Sequence, residues 1–140
     1  MKEVLEVLPK TMKRLVESCK QYDALEEIRV RIGRPLECIA HGEVFFYDYI
    51  VTAEDAIYLL NKLSQFSIYT MEEELKRGYV TLRGGHRIGL AGKVITEKSA
   101  VKMIRDVSSF NIRIARQKIG IAEPLLPYLY ESRWLNTMVI

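Results

Sequence analysis

The chain has 140 residues, 49% of them apolar and 28% charged, a composition that fits one ordinary domain able to bury a core and gives no sign of disorder. No apolar run approaches the roughly 18–20 residues that span a bilayer, and the opening MKEVLEVLPKTMKRL is too mixed in charge for a secretory signal, so a cytoplasmic protein is expected. Formal net charge is only +3, yet eleven Lys or Arg against two acids, Glu97 and Asp106, fall between Lys76 and Lys118, a basic stretch suited to nucleic acid, a nucleotide phosphate or an acidic partner.

In chain order, Val4, Leu5, Leu8, Met12, Leu15, Val16 and Cys19 recur at helical spacing and predict a helical element over 1–21, with Pro9 in the first turn of its second segment. LEEIRVRI then alternates: Ile28, Val30 and Ile32 on one face, Arg29 and Arg31 on the other, before the turn Gly33-Arg34-Pro35. LECIA and EVFFYDYIV, separated by His41-Gly42, complete an antiparallel meander. Thr52 to Asp55 has the form of a capping box, and Ile57, Leu60 and Leu63, with Ala56 and Leu59, form the buried stripe of the helix it opens. Thr70 starts a short acidic helix that Gly78 closes. Its carboxylates Glu72, Glu73 and Glu74 occupy successive positions that point apart, so they read as a solvated first turn and not as a paired acid and base.

Beyond Gly78, YVTL and HRIGLAGKVI are two extended runs around a turn at Arg83-Gly84-Gly85. The glycine-rich stretch is not a phosphate loop. Gly92-Lys93 is followed by Val94 and preceded five positions earlier by Arg87, which breaks the Walker A spacing, and Gly84, Gly85, Gly89 and Gly92 do not fit G-x-G-x-x-G. As a strand it sets Ile88, Leu90 and Val94 on one face and Arg87, Gly89, Ala91 and Lys93 on the other. That second face is a trough of small residues bounded by cations, open to a closely packed helix or to an anion. AVKMIRDV and FNIRIAR continue the strand pattern, IAEPLLPYLYES predicts a short helix, and LNTMVI is an apolar run at the end of the sequence.

Cys19 and Cys38 lack CxxC spacing and a nearby His cluster and read as reduced structural thiols; no metal site is expected. His41 and His86 read as surface histidines. Arg29, Arg31, Arg87, Arg105 and Arg113 all fall in predicted strands, where a rigid fork suits phosphate, with salt bridges to Glu26, Glu27 or Asp106 as the alternative. The fold class is α+β, a small antiparallel sheet with packed helices over 1–133 (sheet and helices 25–133), and 134–140 is expected to open a second domain.

LEEIRVRIGRPLECI, the block VTAEDAIYLLNKLSQFSIYTMEEELKRGYVTL, GGHRIGLAGKV and IRDVSSFNIRIAR, in that order, resemble the stage III sporulation protein AA family across nearly the whole chain. The resemblance implies a sporulation ATPase similar to the motors of type II and type IV secretion, powering a channel complex between mother cell and forespore. It implies a PAS-like N-terminal module that packs on neighbouring subunits of a hexamer and on its own RecA-like domain, peripheral to membrane proteins on the mother cell side. LNTMVI would be the first RecA-like strand, cut before the Walker A loop. ATP and Mg belong to the full-length family; this stretch has no Walker A or B and is expected neither to hold a cofactor nor to turn over ATP alone.

By the same resemblance Arg87 is the first arginine to reach nucleotide phosphate in trans, Arg105 or Arg113 the second, and Arg116 a further candidate. Arg29, Arg31, Arg34 and Lys93 belong to the basic interface surface. Two other readings stand beside this one: a nucleic-acid module using residues 76–118, disfavoured because only Tyr79 and Phe110 offer stacking there, and a docking scaffold that uses the N-terminal helices.

Overall fold

The computed structural model describes residues 1–66, 71–97, 100–116 and 119–135. Thr70, Lys98, Lys118, residues 136–140 of the terminal apolar run and the side chain of Glu72 lie outside that description.

Helices α1 (Lys2–Val7) and α2 (Lys10–Glu17) meet at Pro9, the N-cap of the second. Strands β1 (Leu25–Arg31), β2 (Pro35–Ala40) and β3 (Glu43–Ile50) form the predicted meander. Helices α3 (Ala53–Phe66) and α4 (Met71–Arg77) follow, then β4 (Tyr79–Thr81), β5 (Arg87–Glu97), β6 (Ala100–Arg113) and a short α5 (Leu126–Leu129). The six strands make one sheet in the order β3-β2-β1-β6-β5-β4, with every neighbouring pair antiparallel. The fold is therefore α+β, and the two predicted C-terminal strand runs are one long strand.

Alternation decides what each face does, because successive strand residues point to opposite sides. Ile28, Val30, Ile88, Leu90, Phe110 and Ile112 are buried, together with Val4, Leu8, Met12 and Val16 of the N-terminal helical region and Ala56, Leu59 and Leu63 of α3. Each such side chain contributes roughly 1.5–3 kcal/mol of burial. The apolar stripe of α1 and α2 is consumed by this core, which removes it as the contact surface of a docking scaffold.

The capping box of α3 is present and larger than the sequence suggested. The Asp55 carboxylate accepts from Thr52 N (2.9 Å), from Thr52 Oγ1 (2.9 Å) and from the Tyr49 hydroxyl (2.8 Å), while Asp55 N donates to Thr52 Oγ1 (3.2 Å). Burial and this bond push the Tyr49 hydroxyl up to about 12. Ile57, expected in the stripe, is instead 61% exposed, because the helix turns Asp55, Ala56, Leu59 and Leu63 inward. Ile32 is also exposed, since β1 ends at Arg31 and the chain bends into its turn.

Glu74 departs furthest from expectation: it is 2% exposed and its carboxylate accepts from Thr81 N at 3.1 Å, tying α4 to the edge strand β4. Glu73 is the solvated member, paired with Lys76 at 2.9 Å. Gly78 closes α4 at φ +76°, and Gly84 and Gly85 turn the β4–β5 hairpin at φ +85° and +82°, as the sequence predicts.

One irregularity shapes the sheet. Ala91 pairs with Ser109 and Lys93 with Arg105, so Gly92 alone on β5 stands where Asp106, Val107 and Ser108 stand on β6. Beyond this bulge the two strands pair only with each other; Val94 is exposed there despite its parity with Leu90, while Ile104 opposite it is buried. A Cβ on Gly92 would meet the Arg105 carbonyl at 2.5 Å and the Asp106 carbonyl at 3.0 Å, both backbone atoms that cannot step aside. Gly92→Ala is therefore expected to destabilise the domain by about 1–3 kcal/mol or more, read as a lowered urea midpoint.

Candidate functional site

The sheet face opposite the core carries the chemistry. Register aligns Glu27, Arg113 and Arg87 across β1, β6 and β5, with Thr81 beyond them on β4, and aligns Arg29, Asn111, Gly89 and Tyr79 in the next row. Tyr79, Arg87, Gly89, Asn111 and Arg113 line a cleft of about 250 Å³. A Cβ at Gly89 would find only Asn111 within 4 Å, at 3.8 and 3.9 Å, so no described helix packs there. The close backbone approach on β5 is at Gly92, which is not one of the trough residues, and the neighbour is β6.

The sequence-predicted cations separate into distinct environments. Arg29 is bonded to Glu27 and lies 3.6 Å from Glu37, and Arg31 is bonded to Glu37, whose side chain is almost wholly buried. These two arginines neutralise acids of their own sheet. Arg116 donates to the carbonyls of Leu25 (2.5 Å) and Tyr22 (3.1 Å), fastening the chain after β6 to the start of β1 and the turn before it. Lys93 faces Asp106 at 3.4 Å, and Arg105 stands opposite Lys93 beyond the bulge, away from the cleft. Arg34 is exposed in the β1–β2 turn.

Arg87 and Arg113 remain, directly opposed on neighbouring strands, where like charges repel. Arg113 has a long contact to Glu27 (3.9 Å). Arg87 has no carboxylate among the described residues; its guanidinium carbon lies 5.3 Å from the centre of the Tyr79 ring. Beside them, Asn111 Oδ1 is buried without a hydrogen-bond partner among the described residues. Two opposed cations over a glycine floor give the cleft a positive lining, the chemistry that suits an anion.

His86 proves to be part of the scaffold and not a surface residue. It is 3% exposed, its Nδ1 accepts from Ala115 N at 3.0 Å, and its Nε2 lies 3.1 Å from the Met1 ammonium and 3.9 Å from Glu3. Neighbours distant in sequence bury it, so no local signal could have shown this. His41 is exposed in its turn, at φ 51°. Cys19 and Cys38 are buried free thiols; burial, then the neighbouring Cys19, push Cys38 up to about 12, against a hydrogen bond from Tyr47.

The family model for sporulation stage III, protein AA matches residues 1–140. The chain belongs to this family. Stage III sporulation protein AA of Bacillus subtilis (strain 168) is 58% identical over 142 residues, covering 100% of this chain and 46% of that protein, so this member of the stage III AA family spans about half the length of its curated relative. Two solved structures share a looser backbone likeness. They are the VirB11 ATPase from the Brucella suis type IV secretion system in complex with sulphate (TM-score 0.45, 16% identity, 90% of this chain and 37% of that one) and the Legionella pneumophila ATPase DotB (0.42, 14%, 76% and 28%).

Two outcomes check this electrostatic layout. Arg31→Ala leaves the buried Glu37 short of a donor and is expected to lower stability by about 1–3 kcal/mol, whereas Arg87→Ala should stay within about 0.5 kcal/mol of wild type; urea denaturation of both variants separates them. Burial, then the Met1 ammonium, hold the His86 pKa below its ordinary value, against the pull of Glu3. The unfolded chain therefore takes up the proton first, and stability that is complete above about pH 6.5 should fall as the pH drops through that value towards the folded one. Urea midpoints between pH 7.5 and 5 should show this decline, and in His86→Gln, which keeps an acceptor but does not titrate, the decline should shrink.

Proposed function

We propose that this chain is the N-terminal regulatory and assembly domain of a hexameric sporulation ATPase, and that Arg87 and Arg113 meet the phosphates of ATP held by a RecA-like domain outside residues 1–140. The observation that carries the reading is the opposed arginine pair over Gly89, with Arg87 lacking a carboxylate partner among the described residues. A delocalised cation placed where negative charge develops stabilises phosphoryl transfer without reorganising at the moment of reaction. Two guanidinium groups that repel one another in the free domain gain most when an anion lies between them, so the site favours the ligand-bound state.

In this reading Mg accompanies ATP on the other domain, and the cytoplasmic ring works against membrane proteins of the channel complex on the mother cell side. The nucleic-acid alternative has little support: of the two aromatic residues in the basic stretch, Phe110 is buried in the core, Lys93 and Lys102 pair with Asp106 and Glu97, and no row of stacking faces remains.

ATP turnover by the natural full-length chain tests the proposal. Arg87→Ala should lower turnover at least about tenfold, within the range of arginine contributions to phosphoryl transfer. Gly89→Ala supplies an independent lesion, because its methyl meets Asn111 only at ordinary contact distance yet fills the cleft floor; turnover should fall while stability changes by about 1 kcal/mol or less. Wild-type turnover in both variants would remove the role of the cleft.

A further inference from the structure

We infer that Tyr79 is the positioning residue for Arg87, a role that rests on the reading of the cleft as a phosphate site. The guanidinium of an exposed arginine on a strand has several rotamers, most of which lead into solvent. Arg87 has Arg113 directly opposite it on β6, whose charge repels it from that side. On its other flank stands β4, where Tyr79 pairs with Gly89, two residues along β5 from Arg87. The ring therefore occupies the diagonal position on the same face, and its centre lies 5.3 Å from the guanidinium carbon, within the distance at which an aromatic face attracts a cation.

Gly89 makes this arrangement possible. With no side chain of its own, it leaves the ring and the guanidinium an unobstructed strand surface: a Cβ there would meet only Asn111 within 4 Å. Strand β4 is only three residues long, yet its place is fixed: Thr81 N donates to the buried Glu74 carboxylate (3.1 Å), and Leu90 N donates to the Gly78 carbonyl (2.8 Å). The ring is held by its strand, the strand by α4, and Arg87 by the ring. Arg113, with its contact to Glu27, has a different anchor.

A double-mutant cycle on the natural full-length chain tests the inference, with ATP turnover measured for wild type, Tyr79→Ala, Arg87→Ala, the double variant and Tyr79→Phe. Tyr79→Ala should lower kcat/KM about two- to fivefold, the scale of an exposed cation–π contact; Tyr79→Phe, which keeps the face, should restore it; and Tyr79→Ala should add no loss on top of Arg87→Ala. Equal losses from Tyr79→Ala in both backgrounds, or failure of Tyr79→Phe to restore the rate, would overturn the role of Tyr79 and leave the phosphate reading standing. Wild-type turnover in Arg87→Ala, or no turnover in the wild-type chain, overturns the phosphate reading and this inference with it.

Discussion

The arrangement of the whole domain depends on how β6 is paired. Its C-terminal half lies between β1 and β5, with Ile112 and Phe110 facing Ile28 and Val30 on one side and Ile88 and Leu90 on the other. A slip of one residue would bring Arg113 and Asn111 into the core and expose Phe110 and Ile112, so burial on one face fixes the register of the other. The cleft is thus placed by apolar residues that take no part in it. The anchors just past β6 reinforce the same register: Ala115 N on His86, and Arg116 on the carbonyls of Leu25 and Tyr22.

Charge on the outer face is organised by two acids. Glu37 is almost wholly buried and serves both Arg29 and Arg31, while Glu27 bonds Arg29 and reaches towards Arg113. Removing one partner from a buried ion pair is far more damaging than the net value of the pair, because the remaining charge has lost its water. This asymmetry makes Arg29 and Arg31 structural, although on composition they look equivalent to Arg87. Arg87 differs in its strand: on β5 it shares a row with Glu27 but has Arg113 of β6 between them, and on the edge strand its contact is the diagonal Tyr79.

Much of this was legible in the sequence, for reasons that are local. Alternation in LEEIRVR and RIGL, the Thr52 cap and the Gly84-Gly85 turn each depend on residues a few positions apart, and each is found where the pattern puts it. What was hidden depends on partners distant in the chain. Glu74 is buried because Thr81 N needs an acceptor, and His86 because Ala115 and the N-terminal helix close over it. The choice between Arg105 and Arg113 as the neighbour of Arg87 was equally hidden. Arg113 comes opposite Arg87 because three β6 residues stand against Gly92 and the register shifts again between Ile95 and Thr96, and neither strand read alone reveals those mismatches.

The same bulge explains why the cleft lies at one end of β5 and not along it. Up to Ala91 the strand is flanked by β6 and, at its start, by β4, so Arg87 and Gly89 have walls on both sides. Past Gly92 the ribbon has lost β1 and β4 as neighbours, and its cations Lys93 and Lys102 are matched by Asp106 and Glu97 on the ribbon itself. The irregular pairing thus divides one basic hairpin into an end walled by neighbouring strands, where Arg87 and Arg113 are opposed, and a distal end where Lys93 and Lys102 have carboxylates of the ribbon itself and Arg105 stands opposite Lys93.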